Sequence, residues 1–301
     1  PFSHALEGLL IDAHHESLTE TFLEQLNIEF EGKLTLAIKI FKNDYPKLFL
    51  YQLISGQLDM DRLDYLNRDS FYTGVSEGIV GYDRIIKMLD VKNNELVVEE
   101  KGIYSIENFL IARRIMYWQV YLHKTTLSAE LMLIHFLKRL KLLCADNKIG
   151  VSNNLTYFLN HNFTKTDLQK NPELLSQFAQ LDDYDVINQL KQMQYNSDIV
   201  LREHALSLLN RKLFKLKYRN EEKESDYITI MRQRVLEKYG EELFPYFFFS
   251  GKEENVAYNE QNEIKILSKD GSITFISDID ELDIKTKIIT KYYSCFPKNM
   301  L

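Results

Sequence analysis

From about residue 5 to residue 210 the apolar residues recur at helical spacing, and this pattern predicts a mainly α chain. Ser17 and Glu20 form an S-x-x-E pattern ahead of Phe22, Leu23 and Leu26, which predicts a capped helix start. Pro46 opens a strongly apolar stretch, read as a helix through Ile54 that Gly56 ends. A second helix is expected over roughly Leu58 to Ser70. One hairpin interrupts the helices: Met88 to Val91, a turn at Asn93-Asn94, then Leu96 to Glu99. Ser105 is expected to cap a long helical stretch reaching about Cys144.

Past residue 210 the pattern changes. Charge crowds Arg211 to Asp226, followed by an amphipathic helix ending at Gly240 and the aromatic run Phe244 to Phe249. That run reads either as a core strand or as part of a subunit contact. Ile264 and Ile266 alternate up to Asp270-Gly271, and Ile273 and Phe275 alternate after it, which predicts a hairpin. A last β-rich segment covers Lys287 to Tyr293. The expected organisation is a helical catalytic domain over residues 1–210 and a small α+β lobe over 211–301.

Composition narrows the function classes. The chain has 301 residues, 45% apolar, enough for one large core or two modest ones. A net charge of -7 argues against a general nucleic-acid coat, which needs a cationic surface. Cys144 and Cys295 are far apart, so neither a disulfide framework nor a zinc ribbon is expected, and a reducing cytoplasm fits best. No apolar run reaches the ~20 residues of a membrane span. The chain opens at Pro1 without an initiator Met and reads as a fragment, or as the ordered part of something longer. It carries no G-x-x-x-x-G-K-[ST] loop and no G-x-G-x-x-G, which sets aside P-loop and Rossmann chemistry.

Three groups of residues could carry chemistry. On a helix, Asp61, Tyr65 and Asp69 share one face, and four carboxylates fall within the eleven residues from Asp59 to Asp69. Such a cluster is either a solvated acidic face, partly neutralised by Arg62 and Arg68, or a metal ligand at Asp61 beside a substrate-contacting Tyr and Asp. His4, His14, His15 and Glu16 could support proton transfer, or could be ordinary surface and capping residues. Arg113, Tyr117 and Tyr121 again fall at i, i+4 and i+8. That face suits a phosphate with an adjoining sugar or base, or it is amphipathic packing. His123, His135, His161 and His204 read as structural, and Lys138 to Lys141 as a solvated helix face.

Taken together these groups resemble the HD-domain deoxynucleoside triphosphate (dNTP) triphosphohydrolases, which include the mammalian SAM-and-HD-domain enzyme and bacterial dGTPase-like relatives. Pro1-Phe2-Ser3-His4 matches the last four positions of the family's H-D-x-G-H-G-P-F-S-H pattern, and His15-Glu16 matches a following H-E pair. Asp59 through Asp69 matches D-x-D-[RK]-x-D-Y-x-x-R-D at every fixed position. Arg113, Tyr121, His123 and Lys124 match R-x7-Y-x-H-K. The resemblance is close over residues 1 to 145 and looser beyond.

The resemblance implies an HD-type helical bundle and a divalent metal ion, Mn, Fe, Mg, Zn or Ni, with Asp61 as the last of four ligands. It implies His4 as general acid, supported by His15 and Glu16. Arg62 and Arg113 would bind phosphate oxygens, Tyr65 and Tyr121 would pack on the sugar, and Asp69 would take its 3′-hydroxyl. It also implies a nucleotide triphosphate substrate and a homo-oligomer, most simply a dimer. The other three ligands of the family pattern are absent from the sequence, so the chain as it stands is expected to be inactive. Two alternatives stand beside the dNTP reading. One is an HD-fold hydrolase of another nucleotide or phosphate ester, and the other a nucleotide-binding regulatory module without hydrolysis.

Overall fold

The structure is a computed structural model; it describes residues 8–146, 148–149, 153–255, 263–279 and 289–300. The fold is mainly α. The first part of the chain gives β1 (Ile11–Asp12), α1 (His15–Glu29), α2 (Thr35–Phe41), α3 (Leu48–Gln52) and α4 (Met60–Thr73). Then come α5 (Tyr82–Met88), the hairpin β2 (Leu89–Lys92) and β3 (Glu95–Glu99), and α6 (Ile103–Met116). A π-helical turn, Tyr117–Tyr121, leads to α7 (Lys124–Ala145). Next are α8 (Asn154–Asn160), β4 (Phe163–Thr164), α9 (Lys165–Lys170), α10 (Pro172–Ala179), α11 (Asp183–Met193) and α12 (Ile199–Leu209). The chain closes with β5 (Lys215–Arg219), α13 (Asp226–Phe247), β6 (Phe249–Asn255), β7 (Lys265–Leu267), β8 (Ile273–Phe275) and β9 (Ile289–Phe296).

These elements fall into two compact units. One contains Pro1–Leu34, Lys124–Lys252 and Lys291–Leu301; the other contains Thr35–His123 and Glu253–Thr290. The boundary expected near residue 210 lies inside the first unit.

In the first unit α7 is the central helix. It buries Phe136, Leu137 and Leu140 against Leu155, Phe158, Val186 and Leu201 of the helices that follow. A second cluster gathers Phe214, Phe247, Phe248, Phe249 and Phe296 around the sheet of order β5-β9-β6. Short polar caps delimit the helices. Asn171 accepts from the backbone N–H groups of Glu173 and Leu174 ahead of Pro172, and Asp182 and Asp185 form a reciprocal capping box.

The second unit packs α4 and α6 around Leu66, Ile106, Phe109 and Met116, each fully buried. Its sheet has the order β2-β3-β7-β8, so two hairpins far apart in sequence are joined by a parallel β3–β7 pairing with Val98 opposite Ile266. The first hairpin turns at Asn93 and Asn94, both at positive φ, a conformation that Asn tolerates.

Several local expectations are corrected. α1 begins at His15 rather than beyond Ser17. The Ser17 hydroxyl donates to the His14 carbonyl at 2.8 Å, and Glu20 pairs with Lys165 at 2.7 Å, so no Ser17–Glu20 capping box forms. The apolar stretch after Pro46 is helical only over Leu48–Gln52. Gly102, not Ser105, precedes α6, and the expected continuous helix to Cys144 is broken around Leu122 and His123. The aromatic run is divided: Phe244 to Phe247 end α13, and Phe249 opens β6. Phe247, Phe248 and Phe249 are all buried, so this part of the run is core. Lys138 to Lys141 is not a solvated face, because Leu140 is fully buried, Arg139 binds Asp198, and Lys141 donates to the Leu9 carbonyl at 2.8 Å.

Candidate functional site

The candidate site is built within the second unit from α4, the loop before it, α6 and the π-helical turn. α4 starts where Asp59, as N-cap, accepts from the Arg62 N–H at 2.7 Å. It ends at Gly74, whose φ of 73° suits a glycine closing a helix. Leu63, Leu66 and Ser70 face the core. The opposite side carries Asp61, which is exposed, with Tyr65 and Asp69 half-buried, so the three share a face as their spacing requires.

Arg62 folds back over the start of its own helix. Its guanidinium pairs with the Asp59 carboxylate at 2.8 Å and donates to the Gly56 carbonyl. Asp59 is 4% exposed, and burial pushes its carboxyl above the usual range while the Arg62 contacts oppose that shift.

α6 delivers Arg113, which is 6% exposed. Its Nη1 donates to the Gln57 side-chain oxygen at 2.9 Å, and its Nε is buried without a hydrogen-bond partner. Burial draws the Arg113 pKa down from its ordinary value, the nearby Arg62 charge adds to that, and Tyr117 opposes it. Arg113 is thus a buried arginine rather than one presented at the surface.

After Arg113 the helix widens into the π-helical turn, a distortion frequent at functional sites. The turn brings Tyr117 and Tyr121 edge-to-face at 5.6 Å, and Tyr121 meets Tyr65 edge-to-face at 6.1 Å. The Tyr121 hydroxyl donates to Asp69 Oδ2 at 2.7 Å. Burial raises the Tyr121 pKa further above its ordinary value, followed by the contact with the Asp69 carboxylate. Burial likewise raises that of Tyr65.

The structure therefore gathers Asp61, Arg62, Tyr65, Asp69, Arg113 and Tyr121 on α4, α6 and the turn. His15 and Glu16 are exposed on the first turn of α1, in the first unit. His4 lies outside the described residues. Sequence reasoning missed Gln57. Nothing in helical spacing marks it, because it sits in the loop before α4; its place two residues ahead of Asp59 was the available signal.

A metal is not accommodated by these side chains alone. Among the described residues no group of three His, Cys, Asp or Glu side chains lies close enough to hold one.

Carboxylates, two guanidiniums and a tyrosine cluster thus lie together on adjoining helices, and comparison with known proteins gives the class of protein that carries them. Residues 80–152 match the family described as HD associated region. The fold superimposes on the crystal structure of a phosphohydrolase from Bacteroides thetaiotaomicron with a TM-score of 0.91 and 45% identity, covering 99% of this chain and 76% of that one. The uncharacterized protein YwfO of Bacillus subtilis is 26% identical over 322 residues, with 100% of this chain and 71% of that protein covered. The deoxynucleoside triphosphate triphosphohydrolase SAMHD1 homolog of Dictyostelium discoideum is 26% identical over 154 residues, covering 44% of this chain and 29% of that protein. The chain belongs to the HD-domain phosphohydrolases. None of the described helices is long and apolar enough to cross a membrane.

Proposed function

We propose that the protein hydrolyses deoxynucleoside triphosphates to deoxynucleoside and triphosphate, with a divalent metal ion. The observation that carries this reading is Arg113. A guanidinium that is 6% exposed, with an unbonded Nε and with Gln57 and Tyr117 as neutral partners, keeps a charge suited to an anion. The tyrosines beside it offer ring faces and edges for a sugar, and Asp69 offers an acceptor for a sugar hydroxyl, at present taken by Tyr121. Kinship with the SAMHD1 homolog supports the choice of a deoxynucleotide. In this reading Arg62 and Arg113 hold phosphate oxygens, and Tyr65, Tyr121 and Asp69 hold the sugar. Asp61 is offered to the metal that chemistry of this family uses. His4 supplies the proton to the leaving oxygen, with His15 and Glu16 in support. The protein acts as a homo-oligomer in the cytoplasm; a monomeric mass by light scattering would count against the assembly.

The test is incubation of the full-length protein with each of the four dNTPs and Mn²⁺ or Mg²⁺, with products separated by chromatography. Deoxynucleoside and triphosphate are expected. Pyrophosphate with a monophosphate, or no turnover of any dNTP, would overturn the reading. In the same assay Arg113→Met should raise KM about tenfold or more, as loss of a charge-assisted contact does. Folding should survive, since a buried charge lacking a carboxylate contributes little to stability. An unchanged KM would remove Arg113 from substrate binding.

A further inference from the structure

Half-buried arginines in this chain divide: Arg202 and Arg219 donate to backbone carbonyls and a serine hydroxyl, whereas Arg62, Arg139 and Arg232 pair with carboxylates. Arg139 binds Asp198 through Nε and Nη2 at 3.0 and 2.7 Å, and Arg232 binds Glu224 at 3.0 and 2.6 Å. Arg113 is the most deeply buried arginine among the described residues. It is 6% exposed, and among the described residues its side-chain partners are Gln57 and Tyr117, with no carboxylate at ion-pairing distance. An amide oxygen fixes a guanidinium without cancelling its charge, whereas a carboxylate fixes and cancels together. The adjacent Gly56 carbonyl accepts from the Arg62 guanidinium, but Arg62 also pairs with the Asp59 carboxylate at 2.8 Å, so of the two guanidiniums held by this loop Arg113 is the one without a carboxylate among the described residues. The loop itself is tethered, since Asp59 caps α4 and Leu58 is buried in the core beside Leu66. Gln57 also lines a cleft of about 670 Å³ together with Gln52, Leu96 and Lys265.

We propose that Gln57 is a positioning residue for the polyphosphate. Its side-chain oxygen sets the place of the Arg113 guanidinium while leaving the positive charge available to the anion. This rests on the phosphate reading of Arg113 given above. Its particular content is that the partner must be neutral. A carboxylate at position 57 would occupy and neutralise the arginine, and an apolar side chain would leave it charged but unplaced.

The experiment is calorimetric titration of the full-length protein, wild type, Gln57→Glu and Gln57→Leu, with inorganic triphosphate, alongside thermal melts of each. Wild-type protein should bind. Gln57→Glu should weaken binding by about tenfold or more while melting no lower than wild type, because a new ion pair replaces the amide contact. Gln57→Leu should weaken binding less than Gln57→Glu. If folded Gln57→Glu binds triphosphate as tightly as wild type, the requirement for a neutral partner is wrong. If both variants lose binding only in proportion to lost melting temperature, Gln57 is structural and the proposal fails. If wild-type protein does not bind triphosphate, the phosphate reading of Arg113 falls, and the role of Gln57 falls with it.

Discussion

The two imidazoles His135 and His204 are kept neutral by their surroundings. His135 lies flat on Phe249, with ring centroids 3.9 Å apart, and donates from Nδ1 to the Leu131 carbonyl at 2.8 Å. Burial brings its pKa down to about 4, and the fully buried His204 down to about 3. In the unfolded chain both return to ordinary values near 6.5. Stability from these groups is therefore complete above pH ~6.5 and is lost as pH falls from there towards 4, at up to about 1.4 kcal/mol per pH unit for each. His135→Phe keeps a ring on Phe249 and cannot take up a proton. Its melting temperature should fall less between pH 7 and pH 5 than that of wild type, and equal falls would show that His135 is not the titrating group. At this scale the sequence was partly readable. The shared face of Asp61, Tyr65 and Asp69 follows from spacing alone. The burial of Arg113 does not, because it depends on a loop 56 residues away in the chain meeting α6.

Among the elements, those closed by local chemistry were legible and those closed at a distance were not. Asp270-Gly271 marked the β7–β8 hairpin, and Gly271 does take a positive φ of 85°. The parallel pairing of β3 with β7 left no trace in either strand, because it joins segments about 170 residues apart. Helix starts were misplaced where a side chain that could cap was engaged elsewhere, as with Ser17 and Glu20. Gly240 shows the legible kind. The amphipathic pattern was expected to end there, and the backbone at Gly240 leaves the helix at φ 73°, ψ 169°, before Glu241 to Phe247 coil again. An added Cβ would meet no atom within 4 Å, so conformation alone sets the cost of a side chain. Gly240→Ala should lower stability by about 1–2 kcal/mol. Denaturant melts check this, and a neutral or stabilising result would mean that the kink relaxes into continuous helix.

At the scale of the whole molecule the chain crosses between its two units, at Leu34, His123, Lys252 and Thr290. No reading of sequence blocks anticipates such interleaving, because it is set by which apolar clusters close. Each unit has its own fully buried aromatics: Phe158 in the cluster around α7 and α8, Phe109 in the cluster around α4 and α6. Asp61, Arg62, Tyr65, Asp69, Arg113 and Tyr121 all belong to the second unit. Phe109→Ala and Phe158→Ala should each cost about 3–5 kcal/mol, the usual penalty for an emptied aromatic site. Their local effects should differ, since proteins open in cooperative units that follow their cores. Native-state hydrogen exchange reads this directly. Phe109→Ala should speed exchange in α6, with loss of triphosphate binding, while α8 keeps its protection. Phe158→Ala should do the reverse, leaving triphosphate affinity near wild type. If either variant accelerates α6 and α8 to the same extent, the two clusters unfold as one, and the separation of the site from the first core is wrong.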